Sequence, residues 1–201
     1  MAFYTVIDDS PVGPLFLGGS AAGIHRLTFL ESEESPLRTI YTLDASIAAL
    51  ERDAGEPCER DEAAAAEAVR QVREYFEGAR TVFDLPLAPR GTAFQLAVWD
   101  ELTRISIGET RSYGAVASAL SSEVVGAVAG SAAARWRLPR AVGMATGRNP
   151  IAIVVPCHRV VGADGSLTGY GGGLDRKRWL LSHEASSMPL FASVASGGPW
   201  R

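Results

Sequence analysis

The chain has 201 residues, 47% of them apolar, enough for one large domain or two small ones, and no run reaches the roughly 20 apolar residues of a membrane span. Two cysteines and three histidines without a CxxC pair argue against a disulfide scaffold and a structural zinc site. The net charge of −4 is unevenly spread: residues 1–90 hold 8 basic against 16 acidic groups and residues 91–184 hold 10 against 7, which points to a basic working face in the second half.

From the N-terminus, Met1 to Ser10 carries acidic rather than basic residues and no apolar core of signal-peptide length, which predicts a soluble, cytoplasmic protein that keeps off membranes. Phe3 to Ile7 is rich in β-formers, Ser10-Pro11-Val12-Gly13-Pro14 is turn chemistry, Leu15 to Leu17 is apolar, and Gly23 precedes Ile24 to Leu30. The first 30 residues therefore read as strands broken by turns. The acidic stretch Glu31 to Ser35 reads as a solvated loop. Helical spacing appears at Ile47 and Leu50, then at Val69, Val72 and Phe76, ended by Gly78, with Ala63 to Ala66 as helix scaffold. Pro86, Pro89 and Gly91 interrupt the periodicity, so an α/β domain is expected over residues 1–88 and a second domain over 89–185.

In the second domain, Thr92-x-x-Gln95 has the capping-box pattern and opens a helix with Phe94, Val98 and Leu102 on one face, closed by Gly108. A shorter helix is predicted from Ser112 to Leu120, and a third, after Pro139, from Arg140 to Gly147. Two short helices in this order suggest a helix-turn-helix, whose later helix enters a DNA groove. Such a turn runs to about 3–4 residues, whereas residues 121–138 intervene here. This Ala-, Ser-, Gly- and Val-rich segment reads as an extra helix or an insertion; the expectation is that it loops out beyond Leu120 and leaves Arg140 to Gly147 able to dock. Residues 186–201, with Pro189, Gly197, Gly198 and Pro199, are expected to form a flexible tail.

The chemistry concentrates in residues 151–161, Ile-Ala-Ile-Val-Val-Pro-Cys-His-Arg-Val-Val. The unbroken apolar run predicts a strand buried on both faces that ends at Pro156, with Cys157 at its break. Burial alone raises a thiol pKa and makes it inert, whereas the adjacent His158 and Arg159 favour the thiolate. An acidic residue to orient the histidine, Glu184, completes a nucleophile–base–orienter set. A Cys-His pair by itself fits an inert buried cysteine as well. It also fits a Cys-His hydrolase, which needs an oxyanion hole and usually a histidine distant in sequence, such as His25 or His183. Downstream, residues 165–173 pack five glycines into nine positions, which lets backbone approach a flat ligand closely, and lead straight into the helical stretch Leu174 to Leu181.

These residues resemble the O6-alkylguanine-DNA alkyltransferases. Pro156-Cys157-His158-Arg159-Val160 is similar to the family's active-site signature. Arg140-Ala141-Val142-Gly143, Gly147-Arg148-Asn149-Pro150 and Leu167-Thr168-Gly169-Tyr170-Gly171-Gly172-Gly173-Leu174 flank it in the family's order. Gly91-Thr92-x-Phe94-Gln95-x-x-Val98-Trp99, Gly108-Glu109-Thr110-x-Ser112-Tyr113 and Ser10-Pro11-Val12-Gly13-Pro14-Leu15 resemble its upstream elements. Apart from residues 121–138 and roughly the last dozen, the resemblance covers nearly the whole chain.

The resemblance implies an N-terminal α/β domain of ribonuclease-H-like fold and a mainly α C-terminal domain with a helix-turn-helix (winged-helix-like). It implies binding to double-stranded DNA from the minor groove and rotation of a damaged guanosine into a pocket, since a thiol cannot reach a base inside the stack. Cys157 would take the alkyl group of O6-alkylguanine irreversibly, once per molecule, with O4-alkylthymine left open as a second lesion. His158 and Glu184 would form its water-linked relay, and Asn149 would hold the active-site turn. Tyr113 would assist nucleotide rotation and donate to the leaving guanine. Arg140 would fill the vacated stack, with Ala141 and Gly143 on the same DNA-binding helix. Val155, Pro156, Tyr170 and Gly171 would line the substrate pocket, Tyr170 in the loop that closes over the base. No cofactor and no metal are expected, and the protein is expected to be a monomer, with cooperativity on DNA left open. Two alternatives stay distinguishable. An alkyltransferase-like protein, which flags lesions without repairing them, carries a residue other than cysteine where this chain has Cys157. A transcription factor with an inert domain would leave Cys157 unreactive.

Overall fold

Turn chemistry and alternation build the first sheet. Gly13 N–H closes on Ser10 O at 3.0 Å, and the chain runs as antiparallel strands β1 (Ala2–Ile7), β2 (Leu15–Ser20) and β3 (Gly23–Phe29). A short strand β4 (Cys58–Arg60) pairs parallel to β1 and gives the order β3-β2-β1-β4. Three residues with two charges among them carry no hydrophobic alternation, so the sequence does not announce β4. Helix α1 (Leu43–Ala54) begins where the Thr42 side chain accepts from Ala45 N–H, and stops at Gly55 in the left-handed region (φ 78°). Helix α2 (Glu62–Phe76) begins at Asp61, which accepts from the N–H groups of Ala63 and Ala64. Tyr4 and Val6 pack with Phe16 and Leu50, whereas Thr5 donates to Glu62, so strand alternation gives α1 and α2 opposite faces of the sheet. Gly18 permits the close approach of α1, because a Cβ there would stand 2.6 Å from Leu50 Cδ2.

The computed structural model describes residues 1–30, 42–129 and 136–187. The expected acidic loop at Glu31 to Ser35 and the tail beyond Ser187 lie outside the described residues. The chain divides into two units, one of Met1–Arg90 with Pro150–Val154, the other of Gly91–Asn149 with the described residues from Val155 on. Residues 150–154, read from the sequence as part of the second domain, join the first through the free edge of β3. Leu27 N–H donates to Pro150 O at 2.9 Å, and Ala152 N–H donates to Leu27 O at 2.8 Å.

The strand expected from Ile151 up to Pro156 does not form. Ile151 makes a single bridge to Leu27, and the chain then turns at Ile153, which has φ 72° with Val154 N–H bonded to Ala152 O at 2.8 Å. A β-branched residue in that region is strained. Only Val160–Val161 is extended. Every residue from 151 to 161 is buried, so the apolar run reports burial on all sides and not a strand.

The second unit is mainly helical: α3 (Ala93–Thr103), α4 (Tyr113–Ala119), α5 (Ser122–Ala129), α6 (Leu138–Thr146) and α7 (Leu174–Ser186), with short strands β5 (Arg111–Ser112) and β6 (Val160–Val161). The reciprocal Thr92–Gln95 capping box opens α3, which ends at Arg104; Gly108 instead serves a later turn (φ 77°). Helix α4 packs on α6, and α3 packs on both, with Trp99 Nε1–H donating to Ala145 O at 2.9 Å. Residues 121–138 do not simply loop out. Part of the segment is α5, which contacts α3 and α6 and buries Val125, because its Val-rich run has an apolar face to cover. Residues 130–135 lie outside the described residues.

Candidate active site

Two turns present the nucleophile. Pro156 (φ −81°, ψ 63°) is the centre of an inverse γ-turn, with Cys157 N–H bonded to Val155 O at 2.8 Å. The chain then forms a single 3₁₀ turn over Cys157–Arg159 before entering β6. Asn149 fastens this corner, its Nδ2 donating to Val155 O at 2.8 Å and to Cys157 Sγ at 3.0 Å. Parallel pairing of Arg111 with Val160 and Ser112 with Val161 brings β5 beside β6, so Tyr113, first residue of α4, follows directly from a strand anchored next to the Cys157 turn.

Cys157 is buried, 6% exposed. Burial pushes its pKa up, against hydrogen bonds from Asn149 and Tyr170 and the charge of Lys177. The resting group is therefore a protonated thiol. Of the two neighbours expected to favour the thiolate, Arg159 is committed to Glu184, and the cation that acts on the resting sulfur is Lys177. Lys177 is fully buried, its Nζ donates to Val160 O at 2.6 Å and Thr168 O at 3.2 Å, and burial lowers its pKa to about 8.

His158 and Glu184 are both fully buried, with Nε2 to Oε1 at 2.7 Å. Arg159 binds the same carboxylate in a fork, Nε to Oε2 at 2.9 Å and Nη2 to Oε1 at 2.8 Å, and Nη1 donates to Ile105 O. Burial opposes ionisation of Glu184, but His158 and Arg159 outweigh it and hold its pKa at about 2. Burial lowers the pKa of His158, with Arg159 and Lys177 adding to the effect against the pull of Glu184, so the imidazole is neutral. A carboxylate only accepts, so Nε2 carries the proton and Nδ1 is the acceptor. Nδ1 is buried and, among the described residues, has no hydrogen-bond partner.

The remaining expected residues fall as follows. Thr168 Oγ1 donates to Tyr113 OH at 3.2 Å. Gly143 faces the Tyr113 ring, a Cβ there standing 3.6 Å from ring carbons. Val155 and Pro156 are buried at the γ-turn, Tyr170 and Gly171 are half-buried in the loop ahead of α7, Ala141 is half-buried and Arg140 exposed on α6. Among the described residues no group of three or more His, Cys, Asp or Glu side chains could hold a metal ion. Sequence reasoning missed Lys177 and Thr168. The signal for Lys177 was present: Lys177, Leu180, Leu181 and Glu184 recur at helical spacing and all are buried.

Comparison with known proteins places the whole chain among relatives. Residues 2–89 match the family described as 6-O-methylguanine DNA methyltransferase, ribonuclease-like domain, and residues 93–186 match 6-O-methylguanine DNA methyltransferase, DNA binding domain. The chain is 44% identical over 189 residues to a methylated-DNA–protein-cysteine methyltransferase of Mycobacterium tuberculosis, covering 94% of this chain and 96% of that one. It is 39% identical over 183 residues to the protein of that name from Methanosarcina acetivorans, covering 91% and 99%. The crystal structure of Mycobacterium tuberculosis OGT in complex with DNA is similar at TM-score 0.68 and 42% identity, covering 93% of this chain and 95% of that one.

Proposed function

Because this chain belongs to the 6-O-methylguanine DNA methyltransferase family, we propose that it repairs double-stranded DNA by irreversible transfer of the alkyl group of O6-alkylguanine to Cys157, one lesion per molecule. The observation that carries the reading is a buried thiol held by Asn149 on a rigid γ-turn, beside a neutral histidine whose Nε2–H is tied to an ionised glutamate. His158 Nδ1 takes the thiol proton through one water as the flipped base arrives. Sulfur then displaces guanine at the alkyl carbon: an S–C bond forms, the C–O bond breaks, and its electron pair moves onto the guanine. Tyr113 donates a hydrogen bond to that developing charge, and the proton removed from sulfur ends on the guanine. The product thioether has no acyl carbon for water to attack, so the protein is consumed. On this reading O4-alkylthymine is a second candidate lesion, and the protein is a cytoplasmic monomer without cofactor. Among the described residues no helix is long and apolar enough to cross a membrane.

The test is intact-mass spectrometry after incubation with a duplex carrying one O6-methylguanine. The expected result is a single added methyl that peptide mapping locates on Cys157, absent from Cys157→Ala, which still binds the duplex. Unaltered mass, or many lesions repaired per molecule, overturns the proposal.

A further inference from the structure

Trp136 is 73% exposed, an uncommon setting for so large an apolar ring, and the Arg137 guanidinium lies over it, 4.9 Å from the ring centroid. Both residues stand at the head of α6, at the end of the segment that departs from the family pattern. Arg137 is the N-cap of α6 and supplies no side-chain cap. Arg137 at the N-cap of α6, Arg140 in its first turn and Arg148 just past its C-terminus are all exposed. Between Glu123 and Asp164 the chain has no Asp or Glu and five Arg, in a protein whose net charge is −4.

We propose that Trp136 and Arg137 form an added contact to the sugar–phosphate backbone of the duplex flanking the lesion, the indole holding the guanidinium in place for a phosphate. The inference rests on the DNA-repair reading for its partner. Stacking engages the flat face of a guanidinium and leaves its N–H edge for a bidentate acceptor, which a phosphate supplies. Exposed Arg137, Arg140 and Arg148 on a stretch of chain without carboxylates, Val124 to Ala163, favour a polyanion over a protein surface of mixed charge. The positive end of α6 adds to the same field.

The experiment uses the full chain and a fluorescent duplex containing O6-methylguanine, with affinity measured from 50 to 200 mM salt and reaction with free O6-benzylguanine followed in parallel. Loss of one phosphate contact in Arg137→Ala should weaken duplex binding about five- to tenfold near 0.1 M salt and reduce the slope of log K against log salt by about 0.9. Trp136→Ala should lose a similar factor, Trp136→Phe should recover most of it, and the double Ala variant should be little worse than either single one, because the two side chains act as a unit. The free-base reaction should be the same in all four variants. An unchanged salt slope in Arg137→Ala, single variants within twofold of the parent, or losses that multiply in the double variant overturn the proposal. A parent that binds the duplex but transfers no alkyl group sinks the repair reading alone.

Discussion

Glu184→Gln removes one charge from a buried cluster with little change of shape, and the structure sets the size of the effect. The Glu184 carboxyl is held at about 2 against an ordinary 4.5, a difference of about 2.5 units, which at 1.36 kcal/mol per unit is about 3 kcal/mol of stability at neutral pH. The folded value lies below the unfolded one, so this contribution is complete above about pH 5 and is lost as pH falls through 4.5 toward 2. Parent and variant should therefore differ by about 3 kcal/mol in urea unfolding at pH 7, and the gap should close progressively below pH 4.5. Alkyl transfer should fall by at least about 100-fold, because a carboxamide can turn its N–H₂ toward His158 and reverse the tautomer that makes Nδ1 the base. A loss below 1 kcal/mol, or a gap that stays flat from pH 7 to pH 3, would refute the argument that Glu184 is the ionised hub of the cluster.

Three further outcomes are expected. Lys177→Met removes the cation that opposes the rise in the Cys157 pKa, so the pH profile of reaction with free O6-benzylguanine should move to higher pH and the rate at pH 7 should drop about tenfold; an unmoved profile would mean Lys177 serves packing only. Thr168→Val removes the donor to Tyr113 OH, and duplex repair should slow about fivefold with restoration in Thr168→Ser, as one hydrogen bond warrants. Gly23→Ala puts a Cβ 2.4 Å from Pro86 O on a residue at φ +126°, so it should destabilise the fold by about 2 kcal/mol or more in urea melts while the folded fraction reacts at the parent rate.

What the sequence disclosed and what it hid divide along the range of the interactions. The Thr92–Gln95 capping box depends on atoms within four residues and stands where the pattern puts it, and the helix expected from Ser112 begins at Tyr113 with Ser112 as its cap. The fate of residues 151–154 depends on the outer edge of β3, at Leu27, which offers hydrogen bonds to whatever segment returns to it. No local pattern records that edge, and an apolar run buried on every side looks the same in a strand and in a series of turns. The side chains divide the same way. Cys157, His158 and Asn149 are tied to motifs, whereas Lys177 sits in the run Asp175-Arg176-Lys177-Arg178 that reads as solvated helix, and only its phase with Leu180, Leu181 and Glu184 marks it as inward-facing. Residues 121–138 show the limit of a motif: α4 and α6 pack together with helix α5 between them in sequence, so the pairing of the two helices does not require a short turn.

The protonation states give a reason why a reagent used once is stored in this form. A thiol whose pKa is raised by burial stays protonated between encounters, and a protonated thiol reacts slowly with oxidants and stray electrophiles. Activation then needs a base that is neutral at rest. Burial keeps His158 neutral, and the bond to Glu184 leaves Nδ1 as its accepting nitrogen. The same cluster keeps a proton from settling there, since Arg159 occupies the Glu184 carboxylate in a fork and both Arg159 and Lys177 lower the proton affinity of the ring. An imidazolium formed at this position is therefore more acidic than a free one, and under the proposed mechanism it gives its proton up to the base that carries charge only after the C–O bond breaks. Proton return and bond cleavage are coupled by that arrangement, and the sulfur, now a neutral thioether, has no proton left for His158 to take.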